Sequence, residues 1–511
     1  MVQSKQETER KYEVPSSSDT SWLPPLDRVE GVTSVVDRSL EELNAVYYDT
    51  DDLRLAGSSA ILRRRTGGFD AGWHLKLPLP GDSREEVQAA LTDAVPDALR
   101  DLALSRTRGA ELTPVVRIRS TREVRELVDA KGAVLAELSI DAVRAQSLRA
   151  QGRSAAWREM EVELAEDGDP ALLDAVEERL REYGIARAQS PSKLARALDE
   201  TAPVPDGERE EAADLAEDSA GEQVLAYVRE QIRVLTALDP AVRRERPDSV
   251  HRMRVACRRL RSCLRSYRSV LDREVTDAIR RDLKWLAGEL GAERDQEVLM
   301  ERLTQGVKAL PAELVLGPVS ARLQAWNVAH GFETHQRTLD ALGSRRYLAL
   351  LDSLAALGQH PPLRAKAGKA PDKVMAKAVL KEFDRLAQRM APALDLPPGP
   401  ERDVALHEAR KATKKVRYAA EAARPTLGKP AKRLRKRVKA CQKVLGDHQD
   451  SVVARGTIRD LAVAAQTTNE AGFTWGLLYG GEQAVAHARE QELPTVWERA
   501  CAPKLRKRLS R

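Results

Sequence analysis

Glu7, Glu9 and Lys11 alternate near the start of the chain. On a strand, side chains alternate between faces, so all three share one. Two carboxylates about 7 Å apart beside an ammonium suit a hard cation next to a phosphate. They suit a hydrophobic core badly. Taken alone, the motif reads better as a solvated strand face. Later segments favour the chemical reading. Arg63 and Arg65, His74 and Lys76, Arg117 and Arg119, Glu137 and Asp141, and Glu159, Glu161 and Glu163 keep the same two-residue period. Their charges are sorted, basic in the middle segments and acidic in the first and last. An ordinary wet sheet face mixes Thr, Ser, Lys and Glu instead.

The alternate positions of these segments carry Trp73, Leu75 and Leu77, Val116 and Ile118, Leu138 and Ile140, and Met160, Val162 and Leu164. Period 2 with one apolar face predicts strands. If the sheet closes into a barrel, the charged faces share one lumen and the apolar faces pack under outer helices. Basic walls would then grip phosphate oxygens, with arginine giving bidentate contacts. The acidic cluster would hold Mg²⁺ or Mn²⁺. Two helices follow the last strand. Asp169 is the expected N-cap of the first, with Pro170 at N1 and Gly184 past its end. Ser190-Pro191 is expected to open the second, which puts Lys193 in its first turn. His74 is in phase with Lys76 and is read as a wall or hydrogen-bonding residue rather than a general base.

These segments resemble the CYTH domain of the triphosphate tunnel metalloenzymes. The match rests on Glu7-Thr8-Glu9-Arg10-Lys11, Tyr47-Tyr48-Asp49-Thr50, Leu53-Arg54-Leu55, Leu62-Arg63-Arg64-Arg65, Trp73-His74-Leu75-Lys76-Leu77-Pro78, Glu161-Val162-Glu163-Leu164 and Ser192-Lys193, in family order over about 200 residues. The resemblance implies an eight-stranded antiparallel tunnel that binds a triphosphate and a divalent metal. It implies Glu7, Glu9, Glu161 and Glu163 as metal ligands or acid–base groups. As phosphate ligands it implies Lys11, Arg63, Arg65, Lys76, Arg117, Arg119 and Lys193, with Arg84 a further candidate. Family members hydrolyse inorganic triphosphate, thiamine triphosphate or RNA 5′-triphosphates, and some cyclise ATP.

A chain of 511 residues exceeds one core. Residues 1–218 hold 29 Lys+Arg and 44 Asp+Glu, a net of −15, and the remaining 55 and 34 give +21. Opposite signs in the two halves predict two domains, the second with a polyanionic partner. Thr201-Ala-Pro-Val-Pro-Asp-Gly-Glu-Arg-Glu-Glu reads as a linker. The expected division is therefore 1–200, a linker over 201–218, and 219–511. Cys257, Cys263, Cys441 and Cys501 form no Cys-x-x-Cys pair and are read as thiols of a reducing cytoplasm. No run of about 18 apolar residues or secretory h-region is present.

The second half repeats itself. Val250-His251-Arg252-Met253-Arg254 through Leu260-Arg261 matches Leu406-His407-Glu408-Ala409-Arg410 through Val416-Arg417, and Leu290-Gly291…Asp295 matches Leu445-Gly446…Asp450. His251, Arg254, Arg258, Arg261 and Arg265 step by three and four, so they form one helical stripe. His407, Arg410, Lys414 and Arg417 form its counterpart. Like charges at these spacings repel, and a solvated helix normally mixes signs, so the stripes predict a groove for a linear polyanion. Arg280, Arg281 and Lys284 extend the first copy, and Lys432, Arg435, Lys436, Lys439 and Lys443 the second. Asp295 and Asp450 read as helix caps or arginine partners. This half resembles the CHAD domain, a conserved-histidine helical domain. The resemblance implies two pseudo-symmetric four-helix bundles whose basic faces bind polyphosphate.

The expected fold is α+β, an eight-stranded antiparallel tunnel with outer helices followed by an all-α domain. The expected function is metal-dependent hydrolysis of triphosphate or short polyphosphate, with the helical domain as a docking module. The rival reading is a non-catalytic protein that targets polyphosphate granules in the cytoplasm. Nucleic acid is disfavoured because few aromatics interleave with the basic residues.

Overall fold

Alternation builds the first unit. Eight antiparallel strands close into a barrel in the order β1-β5-β4-β3-β2-β6-β7-β8, with β8 back against β1. They are β1 (Gln3–Glu13), β2 (Ser34–Asp49), β3 (Ile61–Thr66), β4 (Gly72–Pro78), β5 (Ser83–Ala89), β6 (Thr113–Val128), β7 (Val134–Ser147) and β8 (Ser154–Leu164). This computed structural model describes residues 3–15, 22–149, 152–202, 216 and 218–509, the Phe332 side chain excepted. The chain divides into the units Met1–Arg209 and Glu210–Arg511. Of the linker expected over 201–218, residues 203–215 and 217 lie outside the described residues.

Helices cover the outward apolar positions. The short α1 (Arg54–Gly57) and α2 (Asp97–Thr107) bring Leu55, Leu99 and Leu102 onto Leu62, Trp73, Leu75 and Val87 of β3–β5. Helix α3 (Pro170–Glu182) lays Leu173, Val176 and Leu180 on Leu138, Ile140, Met160 and Val162 of β7 and β8. Each buried side chain of this size contributes about 1.5–3 kcal/mol relative to exposure. Asp169 caps α3 by accepting from the Ala171 N–H, Pro170 stands at N1, and Gly184 follows at φ +77°. Helix α4 (Lys193–Glu200) begins two residues later than the Ser190-Pro191 start. Ser192 is its N-cap and accepts from the Ala195 N–H. Leu194 and Ala197 of α4 then pack among Ala45, Tyr47, Ile61, Val116, Ile118 and Trp157, which closes one end of the lumen with an apolar plug.

Strand β6 departs from the expected orientation. Tyr47 pairs with both Arg63 and Val116, and Ala45 with both Arg65 and Ile118. Paired residues share a face. Val116 and Ile118 therefore face inward beside Arg63 and Arg65, while Arg117 and Arg119 face outward. Alternation defines which residues share a face, but closure of the barrel decides which face is interior.

The second unit is helical: α5 (Ala220–Arg243), α6 (Ser249–Ser266), α7 (Arg273–Lys308), α8 (Val319–Gly343), α9 (Arg345–Gln359), α10 (Pro371–Asp395), α11 (Pro400–Ala422), α12 (Arg424–Thr467), α13 (Phe473–Cys501) and α14 (Pro503–Lys507). The sequence repeat superposes α6 on α11 and α7 on α12. The two copies share their cores. Val228, Leu260 and Leu283 pack in one cluster with Phe383, Val416 and Leu434. At the far ends of α7 and α12, Leu303 and Val307 pack with Ile458, Leu461 and Trp475. No helix among the described residues is long and apolar enough to cross a membrane.

The β3–β4 turn supplies a test of this packing. Gly67 has φ +82°, and a Cβ there would lie 2.1 Å from the Glu42 carbonyl oxygen, whereas Gly81 has φ +76° with nothing within 4 Å. Gly67→Ala is expected to destabilise the barrel by more than about 1 kcal/mol, and by more than Gly81→Ala, in denaturant unfolding. Equal effects would show that only the backbone conformation matters.

Candidate functional site

The lumen is a cavity of about 330 Å³ whose wall alternates in charge. On β1, Lys5, Glu7, Glu9 and Lys11 point inward. Glu7 sits opposite Arg84, Glu9 opposite Glu163, and Lys11 opposite Glu161. Nearly every cation has a carboxylate neighbour, as burial requires. Lys76 Nζ lies 2.5 Å from Glu7 and 3.5 Å from Glu86. Lys5 Nζ is 2.7 Å from Glu7 and 3.5 Å from Glu163. Arg63 lies 3.6 Å from Glu86, and Arg65 pairs with Asp70. Arg84 donates to the Pro191 carbonyl at 2.7 Å. His74 bridges Glu86 (Nδ1 to Oε1, 3.0 Å) and the Asp70 carbonyl (Nε2 to O, 2.9 Å), and burial pulls its pKa below the ordinary value.

Glu161 is ringed by three cations. It meets Lys11, Arg122 at 2.9 Å and Lys193 at 2.7 Å. Lys193 reaches in from the first turn of α4 and also contacts Asp141 (3.0 Å) and Glu159 (2.8 Å). Arg122 donates to Asp141 through Nε at 3.0 Å and Nη2 at 2.7 Å. Sequence reasoning missed Arg122, Glu86, Lys5 and Asp70. Arg122 lies an odd number of residues from Arg119, so a reading that put Arg119 inside put Arg122 outside. Arg117 and Arg119 do not join this wall.

The other carboxylates are paired as well, Glu7 with Lys5 and Lys76, Glu9 with Lys11 at 3.2 Å, and Glu163 more loosely with Lys5 at 3.5 Å. Glu9 and Glu163 oppose one another directly, an arrangement that is destabilising unless a cation intervenes. Burial, and then Glu7, hold the Glu163 carboxyl above its ordinary range. Burial also pushes Glu9 up, but Lys11 and Lys76 outweigh it and keep Glu9 ionised. Burial draws the Lys11 ammonium down to about 8 against the pull of Glu9. Glu7, Glu9 and Glu163 offer the hard oxygen donors that Mg²⁺ or Mn²⁺ takes, but as placed here, with lysines between them, their oxygens do not converge within 4.8 Å of one another.

The helical unit carries a larger cavity, about 980 Å³, between the repeat copies. His251, Arg254, Arg258, Arg261 and Arg265 of α6 face His407, Arg410, Lys414 and Lys415 of α11 across it, with Arg281 and Lys284 from α7. Thirteen Lys or Arg line it against four Asp or Glu. Those acids are already taken. Arg254 holds Asp295 through both Nη atoms at 2.7 and 3.0 Å, and Arg410 lies 3.5 Å from Asp450. Asp295 and Asp450 are thus arginine partners at equivalent points of the repeat. The Leu-Gly steps have a physical role here. A Cβ on Gly291 would lie 3.0 Å from Arg254 Nη2, and one on Gly446 3.8 Å from Arg410 Nε. A glycine inside a helix costs about 1 kcal/mol relative to alanine, and in α7 it leaves room for the guanidinium to cross to Asp295. His407 donates to Gln449 Oε1 at 2.6 Å, where the first copy has His251 and Arg294.

Arg417, Lys436 and Lys439 do not line this cavity. The Arg417 guanidinium instead lies 4.6 Å from the Tyr418 ring centre. Lys436 and Lys439 are exposed on α12. Their counterparts Arg281 and Lys284 stand on a helix entered from a loop, whereas α12 is kinked within its own span at Gly428 (φ 55°, ψ −128°).

Arg258, Arg261 and Lys414 form no ion pair among the described residues, and the electrostatics show it. Burial, then Arg410 and Arg258, draw Lys414 down to about 7, and burial with Arg254 draws Arg258 to about 10. An unfolded lysine titrates near about 10.4. Between about 7 and 10 the unfolded chain holds the extra proton, so this group makes stability rise with pH across that window and adds no slope below it. Lys414→Met is expected to melt above the native protein at pH 7, with the difference closing towards pH 10. A difference in melting temperature that is constant with pH would contradict this.

Asp403, His448 and Glu490 form another cluster, their ligand atoms within 4.8 Å of one another. Arg455 faces Asp403 and Arg402 faces Glu490, each at 3.3 Å, so both carboxylates already have a cation.

A CYTH domain model matches residues 5–198 and a CHAD domain model matches residues 226–459. Two uncharacterised proteins of Mycobacterium tuberculosis are each 38% identical over 505 residues, covering 95% of this chain and 94% of the relative. Among solved structures, PptA from Streptomyces chartreusis is 22% identical with a TM-score of 0.47, covering 55% of this chain and 99% of its own. The CHAD domain from the plant Ricinus communis is 24% identical with a TM-score of 0.44, covering 58% and 98%. On the two domain matches and the near full-length relatives, the chain belongs to the family of proteins that join a CYTH domain to a CHAD domain.

Proposed function

We propose that the barrel hydrolyses inorganic triphosphate or short polyphosphate with a divalent metal, and that the helical unit binds polyphosphate. The observation that carries the reading is the opposed pair Glu9 and Glu163, with Glu7, set in a lumen lined by Lys11, Arg63, Arg65, Lys76, Arg84, Arg122 and Lys193. The CYTH family is metal-dependent and includes triphosphatases and adenylyl cyclases, and CYTH and CHAD proteins bind triphosphate or polyphosphate. Before substrate enters, wall carboxylates neutralise the wall cations. Phosphate oxygens would take over those cations, and arginine forks would fix the chain in line for attack. Glu7, Glu9 and Glu163 would hold the metal, which supplies charge neutralisation on the phosphates when bound. A released carboxylate would orient or deprotonate the attacking water. Glu161, ringed by three cations, would keep Lys11, Arg122 and Lys193 in position.

The non-catalytic reading draws on the helical cavity, which holds the unpaired positive charge. Phosphate release separates the two. The full-length protein is expected to release phosphate from triphosphate only with Mg²⁺ or Mn²⁺. Glu9→Gln or Glu163→Gln should raise the metal concentration for half-maximal rate by about 10–100-fold. Metal-dependent release absent from the native protein would leave polyphosphate binding as the function.

Polyphosphate in the helical cavity should restore the Lys414 proton, because a polyanion favours the charged form. Calorimetry at pH 8 in buffers of different ionisation enthalpy is expected to show uptake of a proton on binding, absent from Lys414→Met. Equal enthalpies in all buffers would place the chain elsewhere.

A further inference from the structure

The outward face of β7 changes character along its length. Leu138 and Ile140 pack under α3, and the same face continues as Ala142, Arg144 and Gln146. On β6 it carries Arg117 and Arg119, and on β8 Ala156 and Arg158. These residues line an open groove of about 890 Å³ on the outside of the barrel. The other outward faces described above bury leucine, isoleucine and valine under helices. This one offers arginines separated by alanine, serine and threonine, with nothing large and apolar for a helix to cover.

We propose that this groove is a second docking surface for an inorganic polyphosphate chain. The proposal rests on the reading of polyphosphate as ligand of the helical cavity. Arg119 stands directly opposite Arg144 in the sheet. Like charges in that position are destabilising, and the groove offers little to offset them. The one carboxylate among the described residues lining it, Glu42, accepts from the Thr121 hydroxyl at 2.8 Å. Arg158 comes no closer than 3.8 Å to Glu123. Arg117, Arg119 and Arg144 make no side-chain hydrogen bond or ion pair among the described residues. Their guanidinium groups are free to fork onto phosphate oxygens. Spacing along a strand is about 7 Å per two residues and about 4.8 Å between strands, so the patch presents several cations to one extended anion.

The absence of a stacking surface argues for a chain without bases. Trp157, the only aromatic among the described residues lining the groove, points inward and donates its indole N–H to Glu159 at 2.6 Å. Single-stranded nucleic acids draw much of their affinity from aromatic stacking.

The test uses the full-length protein and long-chain sodium polyphosphate, with affinity measured across a salt series. Three proteins are compared: native, the groove variant Arg117→Ala/Arg119→Ala/Arg144→Ala, and the cavity variant Arg258→Ala/Lys414→Ala. The groove variant is expected to bind at least about 10-fold more weakly and to flatten the slope of log K against log salt by about 2, the share of three phosphate contacts on a flexible chain. Because these arginines lie outside the lumen and repel each other, the variant should melt no lower than the native protein and hydrolyse triphosphate at the native rate. Arg119→Lys/Arg144→Lys keeps the charge and should keep the slope. If the groove variant binds with native affinity and slope while the cavity variant loses binding, the groove is wrong and the cavity reading stands. If the native protein does not bind polyphosphate, both fall. Equal affinity of the groove for single-stranded DNA of matched charge would overturn the polyphosphate assignment.

Discussion

Burying charge is expensive unless the charge is paired, and both halves of this protein are shaped by that constraint. The barrel meets it inside its own wall. Glu7, Glu86, Asp141, Glu159 and Glu161 each sit within ion-pair distance of a lysine or arginine, so a lumen of about 330 Å³ holds charges of both signs. The pairing is not uniform. Three cations ring Glu161, whereas Glu163 has Lys5 at 3.5 Å and faces Glu9 across the wall.

The helical cavity meets the same constraint differently. It is about three times larger, and its acids are occupied by Arg254, Arg410 and their neighbours. The remaining cations are left to repel one another, and burial, then Arg410 and Arg258, depress the pKa of Lys414. Gly291 belongs to the same economy. It weakens α7 so that Arg254 can lie across the helix to Asp295, which fixes one guanidinium and leaves Arg258 and Arg261 unpaired beside it. Because α6 and α11 pack in one cluster, the two stripes face each other across the cavity.

The contrast explains why one repeat copy contributes more than the other. The first copy sends Arg281 and Lys284 of α7 into the cavity. The second turns Lys436 and Lys439 to solvent and rests Arg417 on Tyr418. Sequence identity of the motifs did not carry over to equal placement, since the helix after each stripe is entered from a loop in one copy and kinked within its own span at Gly428 in the other.

Much of this was legible in the chain itself. Periods of two and of three to four are local properties of backbone geometry, so the strands bearing Arg63, Lys76 and Glu161 and the helices bearing Arg258 and Lys414 could be read directly. The repeat and the opposite net charges of the halves were equally open to inspection. What alternation cannot carry is the choice of inside and outside. That depends on how eight strands close and on which faces find a helix to cover them. For this reason Arg117 and Arg119 were expected in the lumen and lie outside it, while Arg122, of opposite parity, lies within. Strand β5, Ser-Arg-Glu-Glu-Val-Gln-Ala, has no apolar face to announce it, so Glu86 appeared only when β1 and β4 were found on either side of it. Lys193 could be assigned to a first helical turn from its neighbours. Its reach into the barrel, to Asp141, Glu159 and Glu161, was decided by the tertiary packing of α4 against the apolar end of the lumen.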